Sequence, residues 1–296
     1  VTTKIEWVKN PDGSQGYTWN PITGCLNHIN GLCKGGGFPC YAYKLANGRV
    51  KSLYLANKNV TPCGHGSNDS VCVTHDDLTN PFYPRLWQER LNEDLGVYRG
   101  IFVCDMSDLF GNGVPEEWTS QVLDRIKRSS HRNRYYLLTK QPQNLAKFSP
   151  FPDNCWVGVT VCNDKMLDVA ADKLEDIQAG EKFISFEPLL ERLTLSLDYA
   201  FYYSGVSWCI IGACTGTKPE MSELIREYPD LTLMPYGNRW TAQPKIEWLK
   251  EIVGEADEAG IKVFLKDNLK PLIFADPLFA EGLLNWAGEL RQELPQ

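Results

Sequence analysis

Seven short apolar runs separated by helical patterns constrain this chain more than any other feature. They are Tyr17–Ile22, Gly100–Met106, Tyr135–Thr139, Trp156–Val161, Lys182–Phe186, Ser207–Gly212 and Ile261–Leu265. Most are near-continuous rather than alternating, as expected of parallel strands covered on both faces. Between them the period changes to that of a helix. Glu116–Ser129 places Trp118, Val122, Leu123 and Ile126 on one side, Asp164–Ile177 follows, and Pro244–Ala259 does the same with Ile246, Leu249, Val253 and Ala256. Pro115 and Pro244 stand where helices can begin, and Gly260 where one can end. Repeated β-then-α order predicts an α/β protein with a parallel sheet, either a (partial) TIM-type barrel or a doubly wound sheet. One domain over residues 1–296 is expected, with an insertion at about 60–83 and a C-terminal helical tail at about 268–296.

Composition fits a barrel-sized core: 43% of residues are hydrophobic, and 23% charged argues against disorder. No apolar run approaches the roughly 20 residues of a membrane span, and "VTTKIEWVKN" lacks the apolar stretch of a signal peptide. A cytoplasmic protein without a membrane partner is expected. Ten cysteines in a reducing compartment do not form a disulfide framework, and Cys104 and Cys209 lie inside strand-like runs where Cys serves as a small apolar residue.

Cys25, Cys33 and Cys40 differ from those. Spaced C-x7-C-x6-C just after the first run and separated by Asn and Gly, they read as metal ligands. Three thiolates leave a coordination position open, which suits an iron–sulfur cluster with one free iron, whereas His28 would close a Cys3His zinc site. A second set, Cys63, His65, Cys72 and His75, forms C-x-H-x6-C-x2-H in the insertion and has the donors for a tetrahedral zinc, set against an ordinary polar loop.

A polar group follows each apolar run: Asp105, Ser107 and Asp108; Thr139 and Lys140; Thr160 and Asn163; Ser185 and Glu187; Gly212 to Gly216; Lys266 and Asp267. In parallel α/β folds those positions share one rim, where active sites assemble. The net charge of −7 disfavours a general polyanion binder, yet Gly13 to Asn68 holds no Asp or Glu and carries Lys34, Lys44, Arg49, Lys51 and Lys58. Arg125 to Lys147 is likewise acid-free, and Tyr41, Tyr43, Tyr54, Tyr135 and Tyr136 fall within or beside the two segments. Either these are solvated faces or they meet an anionic substrate, nucleic acid or a nucleotide, with Lys34, Lys44, Arg49 and Lys51 on one side of an entrance and Arg128, Arg132 and Arg134 on the other.

"TWNPITGC" and "CYA", followed in order by "FVCDMSDLF", "YYLLTKQP", "NCWVGVTVCN", "KFISFEPLL" and "WCIIGACTG", resemble the phage-associated three-cysteine-motif family, whose members resemble the radical S-adenosylmethionine superfamily. That superfamily usually spaces its cysteines C-x3-C-x2-C, so "KGGGFP" makes a longer second gap here. The resemblance implies a 4Fe–4S cluster on Cys25, Cys33 and Cys40, and S-adenosylmethionine as cofactor, cleaved reductively to a radical that acts on the substrate. It implies that Asp105, Ser107 and Asp108 meet the methionine ammonium and that Thr160, Asn163, Ser185 and Glu187 hold ribose hydroxyls or the carboxylate. Gly212 would admit the adenine, Lys140 and Glu187 would face the reacting centre, and an electron donor would be a partner. The competing class is a non-catalytic iron–sulfur or zinc protein that binds nucleic acid or a protein.

Overall fold

The structure, a computed structural model, describes residues 2–60, 76–194, 197–275 and 279–295. All seven runs contribute a strand to one sheet: β1 (Tyr17–Trp19), β2 (Gly100–Val103), β3 (Arg134–Thr139), β4 (Cys155–Thr160), β5 (Glu181–Phe186), β6 (Trp208–Ile211) and β7 (Lys262–Leu265). They lie side by side in chain order, and every neighbouring pair is parallel. The first run is shorter than expected, because Pro21 cannot donate to a ladder. Beyond it, Ile22–Thr23 pairs antiparallel with Arg85–Leu86. The helices used below are α1 (Tyr41–Asn47), α2 (Glu116–Lys127), α3 (Asp164–Glu175), α4 (Lys218–Glu227) and α5 (Ile246–Glu258). Helix α2 has Glu116 and Glu117 in its first turn and Arg125 and Lys127 in its last, which complements the helix dipole.

Strand alternation separates two cores. Val103, Leu137, Val157, Val159, Ile184, Phe186, Ile211 and Val263 face outward to Val122, Leu123 and Ile126 of α2, Leu167 and Leu174 of α3 and Leu249 and Val253 of α5. The intervening residues Phe102, Tyr136, Trp156, Phe183, Trp208 and Phe264 form a separate aromatic cluster around Trp7. The Trp7 ring lies 5.0 Å from Phe102 on β2 and 6.0 Å from Trp208 on β6. In a flat sheet those strands would stand about 19 Å apart, four steps of roughly 4.8 Å. One ring can touch both only if the sheet curls around it. The barrel is partial: β1 and β7 end the sheet and do not pair with each other.

Gly158 on β4 makes room inside the curl, since a Cβ there would stand 2.4 Å from the Phe183 ring. Gly158→Ala should lower the unfolding free energy by about 1–3 kcal/mol through overpacking. Urea denaturation checks this, and an unchanged midpoint would mean that Phe183 moves aside freely.

Two parts of the architecture differ from the expectation. Cys214–Gly216, Thr232–Tyr236 and Arg239–Gln243 form a small antiparallel sheet that is not among the expected strands. The expected C-terminal helical tail is α-helical, among the described residues, only over Lys270–Ile273, and it then runs in turns before Gln292 bridges Phe264. Cys63, His65, Cys72 and His75 lie outside the described residues. Among the described residues no helix is long and apolar enough to cross a membrane.

Candidate functional site

The cysteine loop leaves β1 and returns to the same end of the sheet. Gly24, at φ 88, fits against the backbone of Phe82 and Tyr83, where a Cβ would stand 2.3 Å from the Tyr83 carbonyl oxygen. Its amide donates to Met106 O (2.9 Å), and the Cys25 amide donates to Phe82 O (2.9 Å). His28–Ile29 and Leu32–Cys33 form a small hairpin. The long second gap folds back on itself: Gly37 N–H donates to Cys33 O (2.8 Å), Cys33 N–H to Phe38 O (2.9 Å), and Cys40 N–H to Gly31 O (2.8 Å). Gly37 adopts φ 65, which glycine tolerates and larger residues resist. Cys40 then caps α1.

Two of the three sulfurs accept a backbone N–H: Cys25 from Asn27 (3.3 Å) and Cys40 from Tyr43 (3.5 Å). Burial, followed by the neighbouring Asp108, pushes the Cys25 thiol up to about 12. Burial also raises Cys33, against the Lys140 ammonium, which favours its thiolate. A bound metal would displace those protons. Among the described residues no three His, Cys, Asp or Glu side chains converge on one point that could hold a metal ion. His28 does not close such a site: its Nδ1 accepts from Gly31 N–H (3.3 Å), and its ring lies against Tyr43 and Phe82 at 4.9 and 5.3 Å. Three thiols carried by one loop without a common focus for one ion fit a cluster, whose ligands go to separate irons, better than a single zinc ion.

The polar groups named from the sequence lie on this same rim, because each follows or closes the C-terminal end of a parallel strand. Their employments differ. After β2, Cys104 adopts φ 61, uncommon for a residue with a side chain, and the chain turns over the barrel mouth. Asp105 Oδ1 accepts from Asn20 Nδ2 (2.5 Å), the Tyr41 hydroxyl donates to Asp105 O, and burial raises the carboxyl's pKa. Ser107 Oγ donates to Gly24 O (2.5 Å), tying the rim to the cysteine loop. Asp108 is a buried staple. Its Oδ1 accepts from Thr139 Oγ1 (2.7 Å) and Phe110 N–H (3.1 Å), and its Oδ2 from Lys140 N–H (3.0 Å). Asn163 caps α3 by accepting from Met166 N–H (3.0 Å).

Lys140 reaches over the mouth. Its Nζ lies 3.4 Å from Thr160 Oγ1 and 5.8 Å from the Phe38 ring centroid. Burial opposes its charge, but Cys33, Cys162 and Asp108 outweigh burial and raise its pKa. Ser185, opposite Thr160 in the ladder and 1% exposed, has a hydroxyl with no hydrogen-bond partner among the described residues. Glu187 pairs with Lys266, and Gly212 passes beneath the pair, where a Cβ would stand 3.0 Å from Lys266 Cδ and 3.2 Å from Glu187 Cγ. Burial works against the Lys266 charge, yet Glu187 and Glu6 raise its pKa overall. Beside these groups, a cleft of about 510 Å³ runs between Gly35–Gly37, Lys140, Thr160 and Asn163.

Glu6 and Asn20 are rim residues that the sequence reading misses, and Tyr41, singled out there as an aromatic beside the basic segment, ties its hydroxyl to the Asp105 carbonyl. Asn20 follows the β1 run as the other polar groups follow theirs, so the same rule applied to "TWNP" finds it. Glu6 lies outside any strand end and carries no such signal. The expected basic entrance is corrected in one half. Arg134 opens β3 and Lys140 follows its end, a strand apart, so Arg128, Arg132 and Arg134 belong to the end of the barrel away from the cysteines. There Arg134 covers the Trp156 ring at 3.9 Å, and Arg132 covers Tyr98 at 5.1 Å. In the other half, Lys44 is paired with Glu220.

Fold and rim together define a parallel α/β partial-barrel protein with a three-cysteine loop at a polar mouth. The chain belongs to the family described as "Protein of unknown function (DUF5131)", whose model matches residues 2–226. No curated protein matches the sequence. Among solved structures, the chain is similar to spore photoproduct lyase complexed with dinucleoside spore photoproduct, at 13% identity over 90% of this chain and 79% of that one, with a TM-score of 0.48. A doubly substituted variant of that lyase with bound AdoMet and the same dinucleoside overlaps 86% of this chain and 77% of its own at 13% identity, with a TM-score of 0.47.

Proposed function

We propose that this chain is an iron–sulfur enzyme of the radical S-adenosylmethionine type acting on an anionic substrate, a nucleotide or nucleic acid, with Cys25, Cys33 and Cys40 holding a 4Fe–4S cluster. The observation that carries the proposal is the set of three thiols in one rim loop, with Cys25 and Cys40 each accepting a main-chain N–H and the Lys140 ammonium favouring the Cys33 thiolate. When bound, a reduced cluster would give one electron to the sulfonium of S-adenosylmethionine, whose sulfur–carbon bond would break to leave methionine and a carbon radical able to take hydrogen from a substrate. The chain's own residues do the rest. Main-chain N–H groups and Lys140 stabilise the negative charge that three thiolates bring into a half-buried mouth. Ser185 offers an unpartnered hydroxyl to a ligand's polar group, as buried polar atoms require partners. Lys266 pairs with Glu187 at the mouth and fixes where its side chain lies, and the aromatic cluster below excludes water from the floor.

Protein purified without oxygen should carry about four iron and four sulfide per chain. Cys25→Ala and Cys40→Ala should each remove the brown chromophore and the EPR signal of the reduced protein. Incubation with S-adenosylmethionine and a reductant should release methionine and 5′-deoxyadenosine. Iron without that release would leave a non-catalytic cluster protein, and stoichiometric zinc without iron would overturn the proposal.

A further inference from the structure

The cleft beside the cysteine loop has a charge opposite to that of the chain. Its lining includes Lys34 from the cysteine loop, Lys140 from the end of β3 and Lys165 from the start of α3, and one acid, Glu227. Three separate elements therefore bring ammonium groups to one concavity in a chain of net charge −7. Among the described residues neither Lys34 nor Lys165 has a carboxylate partner, whereas Lys44, Lys147, Lys173, Lys245 and Lys270 each do. Asp164, beside Lys165, directs its carboxylate to Thr194 instead, accepting from the Thr194 amide (2.8 Å) and hydroxyl. Unpaired cations converging on a cleft concentrate anions there.

The walls suit a close approach. Gly35, Gly36 and Gly37 present main chain without side chains, and the Tyr228 hydroxyl holds Gly36 O at 3.0 Å, so this wall is tethered. At about 510 Å³ the cleft lies in the range of sites that enclose a small organic ligand. Lys140 belongs to both places: it lines the cleft, and its ammonium has Cys33 and Cys40 among its charged neighbours. An anion held there is next to the rim thiols.

We infer that this cleft is the phosphate-binding subsite for the second substrate, taking the phosphate of a nucleotide-sized ester between Lys34, Lys140 and Lys165. The inference rests on the proposed function for what happens next to that phosphate, but not for the binding itself. The test is titration of the anaerobically purified full chain, its iron content determined, with a 5′-mononucleotide, the matching nucleoside and inorganic pyrophosphate at low salt. The nucleotide should bind, and the nucleoside should bind at least about tenfold more weakly. Lys34→Glu/Lys165→Glu should weaken nucleotide binding by about tenfold or more, while Lys250→Glu on the exposed face of α5 leaves it unchanged. Pyrophosphate as tight as the nucleotide would assign the subsite to free anions, and a tighter nucleotide would assign it to the ester. Equal binding of nucleoside and nucleotide, or no effect of the double charge reversal, overturns the inference. Phosphate binding by iron-free protein would count against the cluster alone, and iron without phosphate binding would count against the subsite alone.

Discussion

Trp7→Ala is expected to lower the unfolding free energy by about 3–5 kcal/mol, the largest stability loss of any single change considered. The indole is 2% exposed and meets Phe102, Tyr136, Phe183 and Trp208 at centroid distances of 5.0, 5.6, 6.0 and 6.0 Å. Its N–H has no acceptor among the described residues, so the ring faces and edges supply the interaction. Removing it opens a void that four strands border and that none can fill without breaking ladder bonds. Trp286→Ala, at a 99% exposed position, is the control and should change stability by less than about 0.5 kcal/mol. Chemical denaturation of both variants decides the matter, and a Trp7→Ala loss near that of the control would mean that the curl does not depend on the ring.

Asp108→Ala should cost about 3–4 kcal/mol, because hydrogen bonds to a charged acceptor are worth roughly 1.5–3 kcal/mol each and local rearrangement recovers part of the sum. Three donors lose their acceptor: Thr139 Oγ1, Phe110 N–H and Lys140 N–H. Asp108→Asn separates charge from shape. The amide oxygen can still accept from Thr139 and Phe110, but its NH2 then faces the Lys140 N–H, donor against donor. The Asn variant should therefore fall between wild type and Ala in a denaturation series. A fully stable Ala variant would show that Asp108 does not hold the ends of β2 and β3 together.

The strands of the main sheet were legible because each is an apolar run ending in a polar group, and both cues are local, whereas their order in the sheet was not. Asn20 and Pro21 also explain why the first run stops early. The small antiparallel sheet lacked such a cue. "TLMPY" contains a proline and "CTG" is three residues long, although the two-residue Gly237–Asn238 connection between Tyr236 and Arg239 is a known hairpin signal. The approach of Lys140 to Cys33, and of both to Cys162, depends on how the sheet curls and on where the glycine turn lands, and no local pattern encodes that. Charge placement misled for a related reason. Arg134 and Lys140 share an acid-free segment, but a strand separates its two ends, so nearness in sequence put them at opposite mouths of the barrel.

The open seam has a mechanical consequence. A ladder closed by hydrogen bonds acts as a hoop whose circumference is fixed by its strands. Here the hoop is cut, and the segment leading into β1 reaches across the cut: Glu6 Oε2 accepts from the Asp267 amide (2.7 Å), beside Lys266 at the end of β7. Widening the mouth therefore requires parting a side chain from an amide and leaves every bond of the sheet intact. Among the described residues the Glu6 carboxylate is thus a clasp at the seam, next to the packing of Trp7.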